Sequence, residues 1–406
     1  MLSSTSVLTW LACAFASLNL RFGNACSTAT LRCGEAALET RYPTVTFRTL
    51  DWPDMGDPLM SNRGTILFEP PGSKLTGTIA DYVGSTKFGF VSHFLQAGSA
   101  RLLIEGMNEK GVSCSVLAQY SVAATTQADG GSSAVKVQIA DACEYLLGNY
   151  GSVEEITAAI ENGEMMIDAS VPTSAEGAAN LEALRLLTEL VQPAGPGQLQ
   201  YAVHLFITDG DTNGHALVYE GDQWIYQGQY ATNVLANDPS LAEQTGRAQA
   251  YTGNLVQIPY NGDTRFERLY WTARADCHAW QFPENNDPSQ NAREYKWSPG
   301  FGPSPRGMSR KTFMALKRAE NVMYGFIVPR SPLWEDLDGL DTQAMYLKSH
   351  SDGLFYFRTP RDSLWQSIDI PQLSMRGERV EFEMYGDMFS TPATPTDRWP
   401  RLPLVD

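Results

Sequence analysis

Over many short stretches of the chain apolar and polar residues alternate, which is the period of a strand with one face buried. The alternation predicts strands at Val45–Leu50, Arg101–Glu105, Val112–Leu117, His204–Thr208, Ala216–Tyr219 and Trp224–Tyr226. The segments GMNEKG, DGDTNG and EGDQ between them supply the Gly, Asn and Asp that hairpin turns need. Phe355-Tyr356-Phe357 adds a late strand. Elsewhere the period lengthens to that of a helix. Gln138–Asn149 has Ile139, Ala142, Cys143, Leu146 and Leu147 at helical spacing. Ser152 with Glu155 three residues on predicts a capping box opening a helix over Val153–Glu161. Leu181–Val191 and Lys311–Met323 read as two more helices. Hairpins, then helices, then hairpins predict an α+β fold in which antiparallel sheets carry helices on their outer faces.

The chain has 406 residues, 43% of them hydrophobic and 19% charged, so core size sets no obstacle. Its 46 acidic and 30 basic side chains leave a formal charge of -16. That balance repels phosphate backbones and anionic lipid, and argues against a nucleic-acid partner. Beyond the N-terminal segment no stretch is apolar and long enough for a membrane span. Two segments rich in turn formers, near residues 165–200 and 283–308, read as insertions within a single domain over residues 26–406.

Val7–Leu20 is a mostly apolar run that ends in Arg21-Phe22-Gly23-Asn24-Ala25. Gly23 and Ala25 supply the small-x-small pattern of a cleavage site, which predicts a signal peptide over residues 1–25 and export, to a periplasm or outside the cell. A cut after Ala25 makes Cys26 the first residue, with a thiol and a free α-amine side by side. The ordinary pKa of such an amine is about 7.7–8.0, so it can act as a base near neutral pH without a histidine. A lipid-modified cysteine occupies the same place, but that reading wants Leu or a similar residue where Gly23 stands. With Cys13 in the leader, five cysteines remain, and an odd number leaves one thiol unpaired within the monomer, consistent with a free Cys26. The cysteines show no CxxC spacing and the five histidines no HExxH, so a structural zinc site is not expected, and no metal or organic cofactor is implied.

The segment TVTFRTLDWPD resembles the choloylglycine hydrolase family, which includes bile salt hydrolases and penicillin V acylases. Arg48 and Asp51 match the family's Arg-x-x-Asp, whose arginine lies by the nucleophilic thiol and whose aspartate holds the α-amine. GMNEKGVSCSVL (106–117) is similar to the family's turn and strand. VLANDPSL (234–241) resembles its Val-Leu-Thr-Asn-x-Pro, which makes Asn237 the match for a side-chain oxyanion donor. GDTRFERLYW (262–271) resembles its Gly-Asp and Arg-Phe-x-Arg, carrying the active-site arginine onto Arg265, with Arg268 the other choice. The later strand segments also match, in order, to about Ile370.

The resemblance implies a four-layer αββα sandwich of N-terminal-nucleophile type. It also implies hydrolysis of a small-molecule linear amide by Cys26, with Arg48, Asp51, Asn237 and Arg265 in attendance. Where bile salt hydrolases carry Asn and penicillin V acylases Tyr, this chain has Ala118, or Gln119 if the register slips by one. A backbone N–H at that position serves whatever the side chain. Trp52, beside Asp51, is the candidate aromatic wall for an acyl group. Residues three apart on a regular strand face opposite sides. A strand bearing both Arg48 and Asp51 is therefore expected to end or bulge between them. A non-catalytic amide-binding protein or a lipid-anchored envelope protein of the same fold remains the alternative. A homo-oligomer is compatible with the sequence.

Overall fold

The structure is a computed structural model that describes residues 26–31, 43–53, 65–76, 83–97, 100–127, 134–170, 172, 174–187, 191–195, 198–210, 216–227, 232–252, 264–279, 310–327, 340–359 and 365–383. The proposed leader and the 283–308 segment lie outside them.

Two antiparallel sheets face one another. Numbering only their strands, the elements are β1 (Ser27–Leu31), β2 (Val45–Pro53), β3 (Thr65–Glu69), β4 (Phe90–Ala97), β5 (Ala100–Asn108), β6 (Ser113–Ala118) and β7 (Val203–Thr208). The rest are β8 (Ala216–Glu220), β9 (Gln223–Gln227), β10 (Thr232–Ala236), β11 (Leu340–Ser349), β12 (Leu354–Arg358), β13 (Gln366–Asp369) and β14 (Val380–Glu383). The first sheet has six strands in the order β10-β1-β2-β11-β12-β13, and the second has eight in the order β9-β8-β7-β6-β5-β4-β3-β14.

The helices are α1 (Ala142–Asn149), α2 (Val153–Glu161), α3 (Ala175–Leu187), α4 (Leu241–Ala250), α5 (Arg265–Ala279), α6 (Arg310–Tyr324) and α7 (Ile370–Arg376). α5 packs on β1 and β10, and α6 on β2 and β11. On the far side α1 and α3 pack on β4 and β5. The result is the four-layer αββα sandwich that the resemblance implies.

Local chemistry accounts for the elements. Ser152 accepts from the Glu155 N–H at 3.1 Å and starts α2; the Glu155 carboxylate reaches back to the Gly151 N–H at 2.7 Å. α7 begins at Asp369, which accepts from the Gln372 N–H, and stops at Gly377 in the left-handed region. α3 differs from the expected Leu181–Val191. It starts six residues earlier, where Ser174 accepts from the Gly177 N–H, and Val191 begins a short hairpin with Gln198–Tyr201. Ser, Gly and Asn in SAEGAAN read as loop formers, yet Ser174 acts as a cap and the alanines carry the first turns. The segment near 165–200 thus holds regular elements, and Met165–Asp168 pairs in parallel with Val135–Gln138. A Cys114–Cys143 disulfide ties β6 to α1, while the Cys26 thiol is free.

The space between the sheets is unusually polar. Thr46 lies 2.6 Å from His350 Nε2, and His350 Nδ1 lies 2.5 Å from the Gly111 carbonyl. A carbonyl only accepts, so Nδ1 carries the proton and Nε2 accepts from the Thr46 hydroxyl. Burial pushes the His350 pKa down to about 3, which keeps the ring neutral and this pattern fixed. Gly111 sits at φ +86°, and a Cβ there would lie 2.4 Å from the His350 carbonyl oxygen. Gly111→Ala is expected to cost at least about 2 kcal/mol through strain and the displaced His350; urea denaturation of the variant against the parent measures it.

Candidate active site

Strand register brings the distant sequence motifs together. Ser27 pairs with Thr49 on one side and Ala236 on the other. Cys26, one residue before β1, therefore stands at the level of Leu50 and of Asn237, which follows β10. Its thiol lies 3.7 Å from the Asp51 carbonyl oxygen, and the residue is buried. Burial pushes the thiol pKa up; the charge of Arg48 opposes that, and the Asp51 carboxylate adds to it.

Arg48 and Asp51 act from opposite faces of one uninterrupted strand. β2 neither ends nor bulges between them, contrary to expectation: it runs on to Pro53, and the extra residue sits on its partner, between Thr342 and Ala344 of β11. Arg48 points into the space between the sheets, and Asp51 meets α5. The alternation that looked like an obstacle is thus kept, and each side chain finds a different environment.

The second sheet is built to receive Arg48. β5 and β6 pair only from Met107–Ser113 to Glu105–Ser115. On β5 the residue beyond Glu105, Ile104, is extra in the register with β4 and forms a bulge. The Arg48 guanidinium donates to the Ile104 carbonyl and, at 2.5 Å, to the Val116 carbonyl. It thereby bridges the two strands where their own ladder stops. Arg48 Nη1 also lies 3.0 Å from Glu105 Oε2. The other Glu105 oxygen binds the Lys348 ammonium and accepts from Ser115 Oγ at 3.1 Å.

Asp51 is fully buried, and its carboxylate faces Arg265 Nη2 at 2.6 Å, with Thr49 at 3.3 Å and Thr342 as further donors. Burial raises its pKa; Arg265, Thr342, Thr49 and Arg48 work against the rise. Arg265 opens α5, where a cation opposes the helix dipole. The Asp51 carboxylate and the Phe326 carbonyl offset that cost. Arg268 instead points its guanidinium toward the Phe326 ring, 5.5 Å from the centroid. Of the two arginines in the motif, Arg265 is the one that meets Asp51.

Asn237 is buried and precedes the Asp238-Pro239 bond, which is cis. Asp238 accepts from the backbone N–H groups of Tyr120 at 3.1 Å and Ser121 at 2.9 Å. This clamp joins the segment after β10 to the chain leaving β6, whose last residue is Ala118. The strand ends at Ala118, and the Gln119 side chain donates to Glu220 at 2.9 Å. The backbone of Trp52 in β2 pairs with Asp341 of β11; its side chain lies outside the described ones. Glu105, Lys348, Thr342 and Asp238 were not singled out from the sequence. A charged residue at a buried strand position is the signal that Glu105 and Lys348 carry. Among the described residues no group of His, Cys, Asp and Glu is arranged to hold a metal, and no helix is long and apolar enough to cross a membrane.

The model of the linear amide C–N hydrolases, choloylglycine hydrolase family, matches residues 33–259, more than half of the chain. That span includes Arg48, Asp51, Ala118 and Asn237 and leaves out Cys26 and Arg265. The fold is similar to that of a penicillin V acylase from Agrobacterium tumefaciens, at 18% identity and a TM-score of 0.57, over 90% of this chain and 94% of that one. It is also similar to a variant of the conjugated bile acid hydrolase from Clostridium perfringens, at 16% identity and a TM-score of 0.58, over 90% and 99% of the two chains. No curated protein matches the sequence.

Thr342→Val removes one donor from the buried Asp51 carboxylate and should raise its pKa further. A raised carboxylate pKa lowers stability as pH climbs through it. The variant is therefore expected to lose about 1.5–3 kcal/mol near neutral pH and less in acid, as the group takes up its proton. Urea midpoints at neutral and acid pH check the sign.

Proposed function

The chain belongs to the choloylglycine hydrolase family of linear amide C–N hydrolases, and from that premise we propose that Cys26, freed by a cut after Ala25, is its nucleophile. The thiol proton passes to the residue's own α-amine, and the thiolate attacks the carbonyl carbon of the amide. The Asn237 side chain and the Ala118 N–H stabilise the oxyanion. The α-amine returns the proton to the departing amine, leaving a thioester. Water, deprotonated by the same amine, then releases the acid and restores the thiol.

The observation that carries this reading is the register around Ser27, which sets Cys26 level with Leu50 on one side and Asn237 on the other. Arg48 supplies positive charge to the thiolate. Asp51, itself held by Arg265, orients the α-amine. The Asp238 clamp keeps the segment of Asn237 against the end of β6, so the two oxyanion donors are held from different sheets.

The substrate is an amide with a hydrophobic acyl group. The candidates are penicillin V, N-acyl homoserine lactones and conjugated bile salts, of which the first and last echo what the two similar structures are named for. Trp52 beside Asp51 favours an aryl or alkyl acyl chain over a steroid. The leader directs the enzyme to a periplasm or the exterior.

The test begins with the intact mass and N-terminal residue of the mature protein, expected to start at an unmodified Cys26. A retained leader or a lipid on that cysteine would sink the mechanism. Cys26→Ala is expected to abolish turnover, and Asn237→Ala to lower kcat by about 10²–10³. Penicillin V, a long-chain acyl homoserine lactone and glycocholate are then compared at equal concentration. Turnover of glycocholate alone would overturn the acyl preference.

A further inference from the structure

Lys348 is a fully buried ammonium that the chemistry above does not use. It lies on β11 at the register position of Thr46, and its side chain crosses to the second sheet to bind one oxygen of Glu105. Ser115 shares that oxygen at 3.1 Å and lies 3.3 Å from the ammonium. The other Glu105 oxygen faces Arg48 at 3.0 Å. All three charged side chains are at most 1% exposed, so water screens none of them.

Charge counting gives the cluster a purpose. Glu105 with Arg48 alone would be a neutral pair, and the Arg48 cation would be cancelled before it reached the thiol. With Lys348 the cluster carries one net positive charge, on the side where Arg48 meets Cys26. We propose that Lys348 and Glu105 are positioning residues for the reaction: Lys348 neutralises Glu105, and Glu105 anchors Arg48, so that an uncancelled cation faces the Cys26 thiolate. The proposal rests on the reading of Cys26 as nucleophile only for its consequence in turnover.

Among the described residues, other groups also face the thiol or the cluster, and in the cut chain the Cys26 α-amine stands beside the thiol in parent and variants alike. Asp51 of β2 adds negative charge near the thiol, and Arg265 of α5 pairs with it. Tyr346 of β11 lies near Arg48 and bonds His93 of β4 at 2.5 Å. His350 is held neutral. Burial and the neighbouring Arg48 pull the Lys348 pKa down, while Glu105 holds it up.

The experiment is a charge cycle read at Cys26. The pH dependence of iodoacetamide alkylation at the Cys26 peptide, followed by mass spectrometry on the full chain as expressed, gives the thiol's apparent pKa. Because the profile is a ratio of rates across pH, limited access to a buried thiol cancels. Lys348→Met removes the neutralising cation and is expected to raise the apparent pKa by about one unit. Glu105→Gln, which keeps the side chain's shape, is expected to lower it by a similar amount. The double variant restores the net charge and should return the profile to that of the parent, as should Lys348→Arg.

A purely structural role would lower stability and leave the profiles in place. Unmoved profiles, shifts of one sign in both single variants, or a double variant that fails to return would each overturn the proposal. If Lys348→Met does not fold, Glu105→Gln decides alone: a rise or no change rejects it. The readout needs no substrate. A chain that never turns over an amide can still support this inference, and an active one with unmoved profiles rejects it alone.

Discussion

The Arg48 guanidinium holds the two sheets to each other at the point where the second one opens. β5 and β6 stop pairing after Glu105 and Ser115, and the Ile104 bulge turns a carbonyl out of the ladder. A split of this kind buries backbone acceptors without partners, which costs heavily in a dry interior. One arginine from the opposite sheet fills the gap, taking the Ile104 and Val116 carbonyls and the Glu105 carboxylate together. Arginine suits the place because its planar fork can serve several acceptors at once and does not lose its charge.

Burying that cation would be unfavourable on its own. The structure offsets the cost with a connected polar layer between the sheets, in which Glu105, Lys348 and Ser115 satisfy one another and Thr30, Thr46, Thr208 and Ser113 continue the hydrogen bonding toward His350. Two β-sheets usually pack through apolar inner faces. Here hydrogen-bonding groups occupy part of that layer, and their directionality fixes how one sheet sits over the other more sharply than apolar contact would. Apolar side chains such as Phe206 and Phe355 fill the rest of that layer, and on the outer faces α5 and α6 cover one sheet and α1 and α3 the other.

The site grows from this frame. Asp51 uses the opposite face of the strand that carries Arg48, so a single element serves the inter-sheet space and the helix layer at once. Arg265 stands at an N-terminus that repels it, and the buried Asp51 carboxylate repays the conflict. Neither residue would be stable in its place without the other. The two charges are local to the site, while the Asp238 clamp and the Cys114–Cys143 disulfide secure the segments that lead into it.

What the sequence alone determined was the local grammar. The apolar pattern located β2, β5 to β9 and β12 but not β1, β3, β4, β10, β11, β13 or β14; Ser152 and Glu155 opened α2 as read, and the family resemblance marked Arg48, Asp51, Asn237 and Arg265. The strands and the helix start are short-range properties, set by side-chain period, caps and turn chemistry. Tertiary structure decided the rest. α3 began at Ser174 because that serine found a capping partner, and the irregularity expected in β2 moved to β11, since a bulge belongs to a pair of strands and not to one. The sequence reading passed over Glu105 and Lys348, because an ion pair across 243 residues depends on how two sheets are stacked. It is that stacking, satisfied by Arg48, that turns a list of motif residues into one site.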